Sequence, residues 1–263
     1  MKKHINLCAY DDYEKINSKK EIEKYREKKI IEVKDKIIFI KEKLGNNLSV
    51  LEIGSGNSKI LYALESENIL KQGVGIEVSK SRFKFAEEWK RDENFNKTTN
   101  INEDVLNVDF NKIGKMDLCL ALDLVLHFLA PIKENSDKEI LKKIYENLNF
   151  DGILILEMED LFLLSDKKWW EEFQESDPWM FSLWNCKHDK KNNFLTWEKY
   201  FIHRIEAKKS FSSIVLKMYK TKHLQKILKE IGFKDIRFMS DWGSKPEKKL
   251  KNIHGEYIII AKK

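Results

Sequence analysis

Three short stretches of this chain hold residue types whose spacing suits the binding of an adenosine. The first is Glu52-Ile53-Gly54-Ser55-Gly56-Asn57-Ser58, an acid followed by a Gly-x-Gly turn. Glycines at such a turn let backbone approach a ligand without a Cβ clash. Taken alone, the turn would suit any tight strand-to-helix connection equally well. About 20 residues further on stands Glu77, at the end of the next apolar run, where an acid can accept hydrogen bonds from both ribose hydroxyls. Asp104, in Asn100-Ile101-Asn102-Glu103-Asp104-Val105, follows a third run and suits the adenine amino group. Three successive strand ends would thus converge on one crevice, where open α/β sheets bind ligands.

A second set could handle protons or an acceptor. His127 follows a fourth run, in Leu122-Asp123-Leu124-Val125-Leu126-His127, and neutral imidazole can accept a proton near pH 7. Its competing role is to pack against the helix behind it. Asp123 stands where a ligand amino group or an acceptor would come. Asp123 with Glu159 or Asp160 would offer carboxylate oxygens to a hard cation, on position alone. Cys186 and His188, with His203 further on, make a poor zinc set, and no metal is expected. Trp169, Trp170, Trp179 and Trp184 suit either stacking on a ring or a satellite core. Lys187, Lys190, Lys191, His203 and Arg204 give the same region a basic tint fitted to a phosphate.

The elements that must position these residues follow from periodicity. Ile16, Ile22, Tyr25, Ile30, Val33, Ile37, Ile40 and Leu44 recur at roughly helical spacing, giving one or two amphipathic helices that end at Gly45. Residues 49–53, 73–78, 98–101, 116–122 and 152–158 read as short strands, alternating with helical stretches; the one after residue 78 opens on serine caps. That alternation predicts a parallel sheet covered on both faces, with right-handed crossovers. Beyond residue 160 it stops. Residues 161–186 read as aromatic-rich and irregular, followed by two strands joined near Ala207–Lys209, a helix over 221–232 and an antiparallel closing pair, 233–239 and 255–262.

Composition excludes several classes. The 263 residues carry 49 Lys and Arg against 43 Asp and Glu, a net charge of +6 spread along the chain. A nucleic-acid binder more often concentrates such charge in a stripe, whereas a small anionic partner is compatible with it. Three scattered cysteines give no disulfide framework and no CxxC pair. The N-terminus has no apolar h-region, and the richest apolar stretch, residues 116–130, holds two aspartates, so we expect a cytoplasmic protein with no membrane span.

Over residues 48–160 the chain resembles the class I methyltransferases that use S-adenosyl-L-methionine. Val50-Leu51-Glu52-Ile53-Gly54-Ser55-Gly56-Asn57-Ser58 is similar to that family's first motif, residues 73–86 to its second and Asn102–Asn107 to its third. Asp117–Leu129 resembles the fourth-strand motif of its small-molecule branch, and residues 148–157 its fifth-strand entry. The resemblance implies that Gly54 and Gly56 pack against the methionine part of the cofactor, with Glu52 and Ser55 in the same turn. It further implies that Glu77 binds ribose, that Asp104 and Val105 contact adenine, and that the segment after the fifth strand is an acceptor cap. Tyr10-Asp11-Asp12-Tyr13 resembles a cofactor lid, with Tyr13 on the cofactor and Tyr10 towards the acceptor. Ser58 replaces a frequent glycine, and Phe150 a proline. An NAD(P) enzyme would share the topology, but the fourth-strand segment argues against it. Nucleic-acid methylases of this fold usually carry an Asn-Pro-Pro-Tyr-like turn or a Pro-Cys pair where this chain has Leu122–His127.

The expectation is therefore a Rossmann-like, mostly parallel seven-stranded α/β sheet with an antiparallel C-terminal pair. Residues 1–44 form an N-terminal helical segment and lid, and 45–263 the catalytic domain with a cap at 160–220. The expected reaction is methylation of an O or N atom of a sugar, nucleotide-linked or phosphate-bearing metabolite, by loose resemblance in the making of capsule or other surface glycans. His127 is the expected base, and Tyr10, His203, Arg204 and Trp184 are expected at the acceptor. The alternative is an RNA methyltransferase or RNA-binding module using the basic helices of 14–44. Oligomeric state is not legible.

Overall fold

The computed structural model describes residues 19–172, 179–203, 209–250 and 253–263. Tyr10, Tyr13 and Arg204, and the side chains of Trp170, Trp179 and His203, lie outside what it describes. The N-terminal amphipathic stretch forms α1 (Lys19–Glu32) and α2 (Lys34–Leu44). Gly45 ends α2 at φ +79°, its N–H donating to Lys41 O. Then β1 (Leu48–Ile53), α3 (Lys59–Ser66), β2 (Leu70–Ile76), α4 (Lys80–Asp92) and β3 (Thr98–Ile101) run in alternation, followed by β4 (Met116–Ala121), α5 (Val125–Leu129), α6 (Ser136–Asn147) and β5 (Leu148–Glu159). All six residues of β1 are buried, as a central strand with both faces covered requires. Ser79 caps α4, its hydroxyl accepting from the Arg82 N–H.

After an insertion, α7 (Thr221–Ile231), β10 (Lys234–Met239) and β11 (Glu256–Lys262) complete the sheet. The strand order is β10-β11-β5-β4-β1-β2-β3, with β11 antiparallel to both neighbours and the remaining pairs parallel. Each face carries its own core. Ile37, Ile40, Ile60, Leu61 and Leu64 of α2 and α3 pack on Val50, Leu118 and Ile155. Ile140, Leu141, Ile144, Leu224 and Leu228 of α6 and α7 pack on Leu51, Leu154 and Leu156. Among the described residues no helix is long and apolar enough to cross a membrane.

The insertion corrects one expectation. The described residues within 161–186 are not irregular: they contain a short 3₁₀ turn (161–164), β6 (Lys168–Glu172) and most of β7 (Trp179–Asp189). With β8 (Phe194–His203) and β9 (Lys209–Lys217) these form a four-stranded antiparallel sheet, β6-β7-β8-β9. Aromatic residues favour the pleated surface, and two-residue alternation carries Trp184 and Cys186 of β7 opposite Lys199 and Trp197 of β8 on one face. That face packs Cys186, Leu195, Ile214 and Leu216 onto Leu161, with Phe128 of α5 alongside. The insert therefore leans on the carboxyl edge of the main sheet.

Candidate active site

From β1 the chain winds outward through β2 and β3, and it returns to β4 on the other side of β1. The crevice of this open sheet consequently lies at the carboxyl ends of β1 and β4. Gly54 and Gly56 turn there at φ +66° and +57°. A Cβ at Gly54 would lie 2.5 Å from Val125 Cγ2, so the loop after β1 is pressed onto the start of α5. The Gly54 and Ser55 N–H groups donate to Ile76 O (2.9 and 3.1 Å), tying that loop to the end of β2.

Glu77 is buried, and its carboxylate is fixed from two sides. The Gly56 N–H donates to Oε2 (2.8 Å) and the Ser79 N–H to Oε1 (2.7 Å). A carboxylate has about four lone-pair sites, so both oxygens keep capacity for a pair of hydroxyls. Asn102 Nδ2 donates to Glu77 O (2.8 Å), joining the loop after β3 to the same place. In that loop half-buried Asp104 accepts the Leu106 N–H (3.0 Å), and Val105 is buried in the core. Ser58, where resemblance expects glycine, takes the left-handed backbone glycine would take freely, at φ +60°. Its hydroxyl donates to Asn100 Oδ1 (2.7 Å), which offsets a cost of about 1 kcal/mol.

Two buried polar atoms in this loop lack partners among the described residues, Glu52 Oε2 and Ser55 Oγ. A polar ligand end laid along residues 52–56 would satisfy both, so the residues present fit the methionine part of S-adenosylmethionine. Burial pushes the Glu52 carboxyl up to about 8, with Lys59 and Lys36 opposing and Asp123 and Glu77 adding to it. Burial thus favours the protonated form of Glu52, which is able to donate.

Asp123 stands exposed on a positive-φ turn after β4, with its carboxylate shared between two lysines. Its carboxylate pairs with Lys59 Nζ (3.4 Å) and Lys36 Nζ (3.7 Å). These ammonium groups outweigh desolvation and hold it below the usual carboxylate range. Lys36 also donates to Glu157 Oε2 (2.6 Å), which accepts the Asp123 N–H (3.1 Å), while Trp242 Nε1 donates to Glu157 Oε1 (3.0 Å). Lys36 and Lys59 were not legible here, because charges on amphipathic helices read as solvated surface. Asp123 is committed to lysines rather than to Glu159 or Asp160. Among the described residues no three His, Cys, Asp or Glu side chains group to hold a metal.

His127 corrects the expected base. The ring is fully buried, with Nδ1 2.6 Å from Lys217 O and the Glu159 N–H donating to Nε2 at 3.2 Å. A carbonyl only accepts, so Nδ1 carries the proton and Nε2 spends its lone pair on Glu159; the tautomer is assigned from these partners. Burial pushes the imidazole down to about 4, with the Lys217 carbonyl opposing. The ring is neutral and has no lone pair left for an acceptor proton. It acts as an anchor, tying the last residue of β9 to the last residue of β5.

On the insert, Trp184 is buried between Trp169, stacked at 5.5 Å, and the Lys199 ammonium, 3.8 Å from its ring centroid. Trp197 lies 4.8 Å away and also faces Lys199 (4.5 Å). As placed, Trp184 is packed rather than open for stacking. Lys187 points to the outer face and pairs with Glu198 (2.9 Å), and exposed Lys190 and Lys191 sit in the β7–β8 turn. The inward cation is Lys199, which spacing alone did not single out. Half-buried Glu159 closes the site: burial, then Glu256 and Asp160, push its carboxyl up to about 6.

Comparison with known proteins agrees with this geometry. A family model described as a methyltransferase domain matches residues 44–232. No curated protein matches the chain. Among solved structures, it is similar to an S-adenosylmethionine-dependent methyltransferase from Clostridium acetobutylicum (18% identity, 87% of this chain and 91% of that one, TM-score 0.73). It is also similar to the CcbJ methyltransferase from Streptomyces caelestis (13% identity, 99% and 98%, TM-score 0.77). A third is an amino pentose methyltransferase from Micromonospora echinaspora, solved with its S-adenosylmethionine bound (12% identity, 95% and 99%, TM-score 0.68). These likenesses are of fold, while the family model spans well over half the chain. With the crevice, the glycine turn and the buried acid Glu77 in register, the chain belongs to the methyltransferase-domain family, as a class I enzyme using S-adenosylmethionine.

Proposed function

We propose that this enzyme methylates an oxygen or nitrogen atom of a small, sugar-like acceptor that is nucleotide-linked or phosphate-bearing. The observation that carries this reading is the four-stranded insert at the carboxyl edge of the main sheet, where half-buried Trp169 and Trp197 flank the packed Trp184 and the Lys199 ammonium lies beside them. Aromatic faces suit the apolar side of a sugar ring, and an ammonium suits a phosphate. The Micromonospora enzyme, by its name a methyltransferase of an amino pentose, supports the same class. Modification of a cytoplasmic precursor of a capsule or other surface glycan is the wider setting we propose, supported by resemblance in sequence alone.

The test is to incubate the protein with S-adenosylmethionine and a panel of nucleotide-linked sugars, phosphorylated metabolites and short RNAs, measuring S-adenosylhomocysteine. Turnover with a sugar is expected. RNA-dependent turnover, together with RNA binding that weakens steeply with salt, would replace this reading with the alternative.

A further inference from the structure

The reaction leaves a proton to be disposed of, and most ionisable groups around the crevice are already committed. Asp123 is ion-paired to two lysines, and Glu77 accepts two backbone N–H groups. Glu52 is buried, which favours its protonated form. His127 has both nitrogens occupied. Glu159 differs from all of these. It ends β5, the strand beside β4, and its backbone is held rigidly while its carboxyl is not. Its N–H donates to His127 Nε2, and the next N–H, of Asp160, donates to Gly255 O (2.8 Å). The Asp160 carboxylate is engaged with the Phe162 N–H (3.3 Å). The Glu159 carboxyl itself makes no hydrogen bond or ion pair with a described residue.

The groups facing it come from three elements. Glu256 stands directly opposite on β11, and Asp160 follows it in the chain. From the insert comes the Cys186 thiol of β7, which burial and then the charge of Glu159 push up to about 11, with Lys199 opposing. Cys186 and the inner face of the insert pack on Leu161, two residues on from Glu159, so Glu159 stands beside the face where the acceptor is read to lie. We propose that Glu159 is the proton acceptor of the methyl transfer; this rests on the acceptor reading above.

The chemistry balances without a further reactant. As the acceptor's O or N lone pair forms its bond to the methyl carbon, the carbon–sulfur pair leaves with sulfur as a neutral thioether. The surplus proton passes from the acceptor atom to a Glu159 carboxylate oxygen, and from there to water. Partial burial, then two neighbouring acids, raise the proton affinity of Glu159 towards the working pH, where a general base is most effective. The base must be ionised, so the rate should be full above about pH 6 and fall as pH drops through that value.

The test has two arms. In the full chain labelled with ¹³C at glutamate Cδ and saturated with S-adenosylhomocysteine, one resonance disappears in Glu159→Gln. That resonance should titrate near pH 6 in the parent protein and move towards the ordinary glutamate value in Glu256→Gln. In the second arm, with UDP-glucosamine or whichever panel sugar turns over, Glu159→Gln should lower kcat by roughly 10²–10⁴-fold while leaving affinity for S-adenosylhomocysteine unchanged. A resonance titrating with the ordinary glutamates, or a kcat within tenfold of the parent's, overturns the assignment. If no panel sugar turns over, the acceptor reading has failed. The titration needs no acceptor and then decides on its own whether Glu159 holds the proton affinity required.

Discussion

Replacing His127 by alanine should change the acid stability of the protein in a way that only a buried neutral imidazole explains. In the folded chain burial holds the ring down to about 4, against an ordinary 6.5. At 1.36 kcal/mol per pH unit that difference is about 3 kcal/mol. Because the folded value lies below the unfolded one, the unfolded chain takes up the proton first. The contribution is full above pH 6.5, declines below it, and is lost once pH has fallen through about 4. The substitution also removes the bonds to Lys217 O and the Glu159 N–H, about 2 kcal/mol together, and leaves a buried void. Near pH 7 the variant should therefore be less stable by roughly 3 kcal/mol, a fall in Tm of about 6–12 °C for a chain of this size. Near pH 4 the gap to the parent should narrow by about 3 kcal/mol. Urea unfolding of both proteins at half-unit pH steps measures this directly. A gap independent of pH would show that the ring is not held neutral, and would reopen its use as a base.

Further outcomes follow from the cofactor loop and the insert. Glu77→Ala should weaken S-adenosylhomocysteine binding by roughly 1–3 kcal/mol in calorimetric titration, the scale of lost hydrogen bonds to a charged group; unchanged affinity would mean the carboxylate only braces the Gly56 loop. Gly54→Ala combines a positive φ with a Cβ 2.5 Å from Val125, and should destabilise by about 2 kcal/mol. Adding Val125→Ala should recover part of that loss in thermal unfolding, and no recovery would locate the strain elsewhere. Lys199→Met should raise KM for a phosphate-bearing acceptor, whereas Lys187→Met, on the outer face, should not; the reverse pattern in steady-state kinetics would turn the insert around.

The legible parts of the site are those whose partners are local or backbone-borne. A buried strand, two glycines and an acid about 20 residues later follow from chain geometry, so β1, the 54–56 turn and Glu77 could be read directly. His127 could not, because its role depends on a carbonyl 90 residues away and an amide 32 residues away. The strands β6 and β7 were hidden because tryptophan and phenylalanine crowd both polar and apolar faces, which blurs two-residue alternation. Lys36 and Glu157 were hidden for another reason. They lie 121 residues apart, and a lysine on a charged helix announces nothing about the carboxylate it will meet. Lys187 and Lys199 share a strand-borne cationic character in sequence, and only register decides which one faces inward.

The hydrogen bonds of the anchoring imidazole go to main chain alone, while its ring packs edge-on against Tyr219. On one side it holds the peptide N–H of Glu159, where the chain departs from the main sheet, and on the other the carbonyl of Lys217, where the chain comes back. Those two hydrogen bonds do not depend on which side chains the insert carries. The roughly sixty residues between those points can be rewritten by substitution, lengthened at their turns or exchanged for another antiparallel sheet without loosening the joint, so long as one amide and one carbonyl arrive at the same ring. A single residue of the core thus makes the antiparallel insert an interchangeable part, able to change while the main sheet stays as it is.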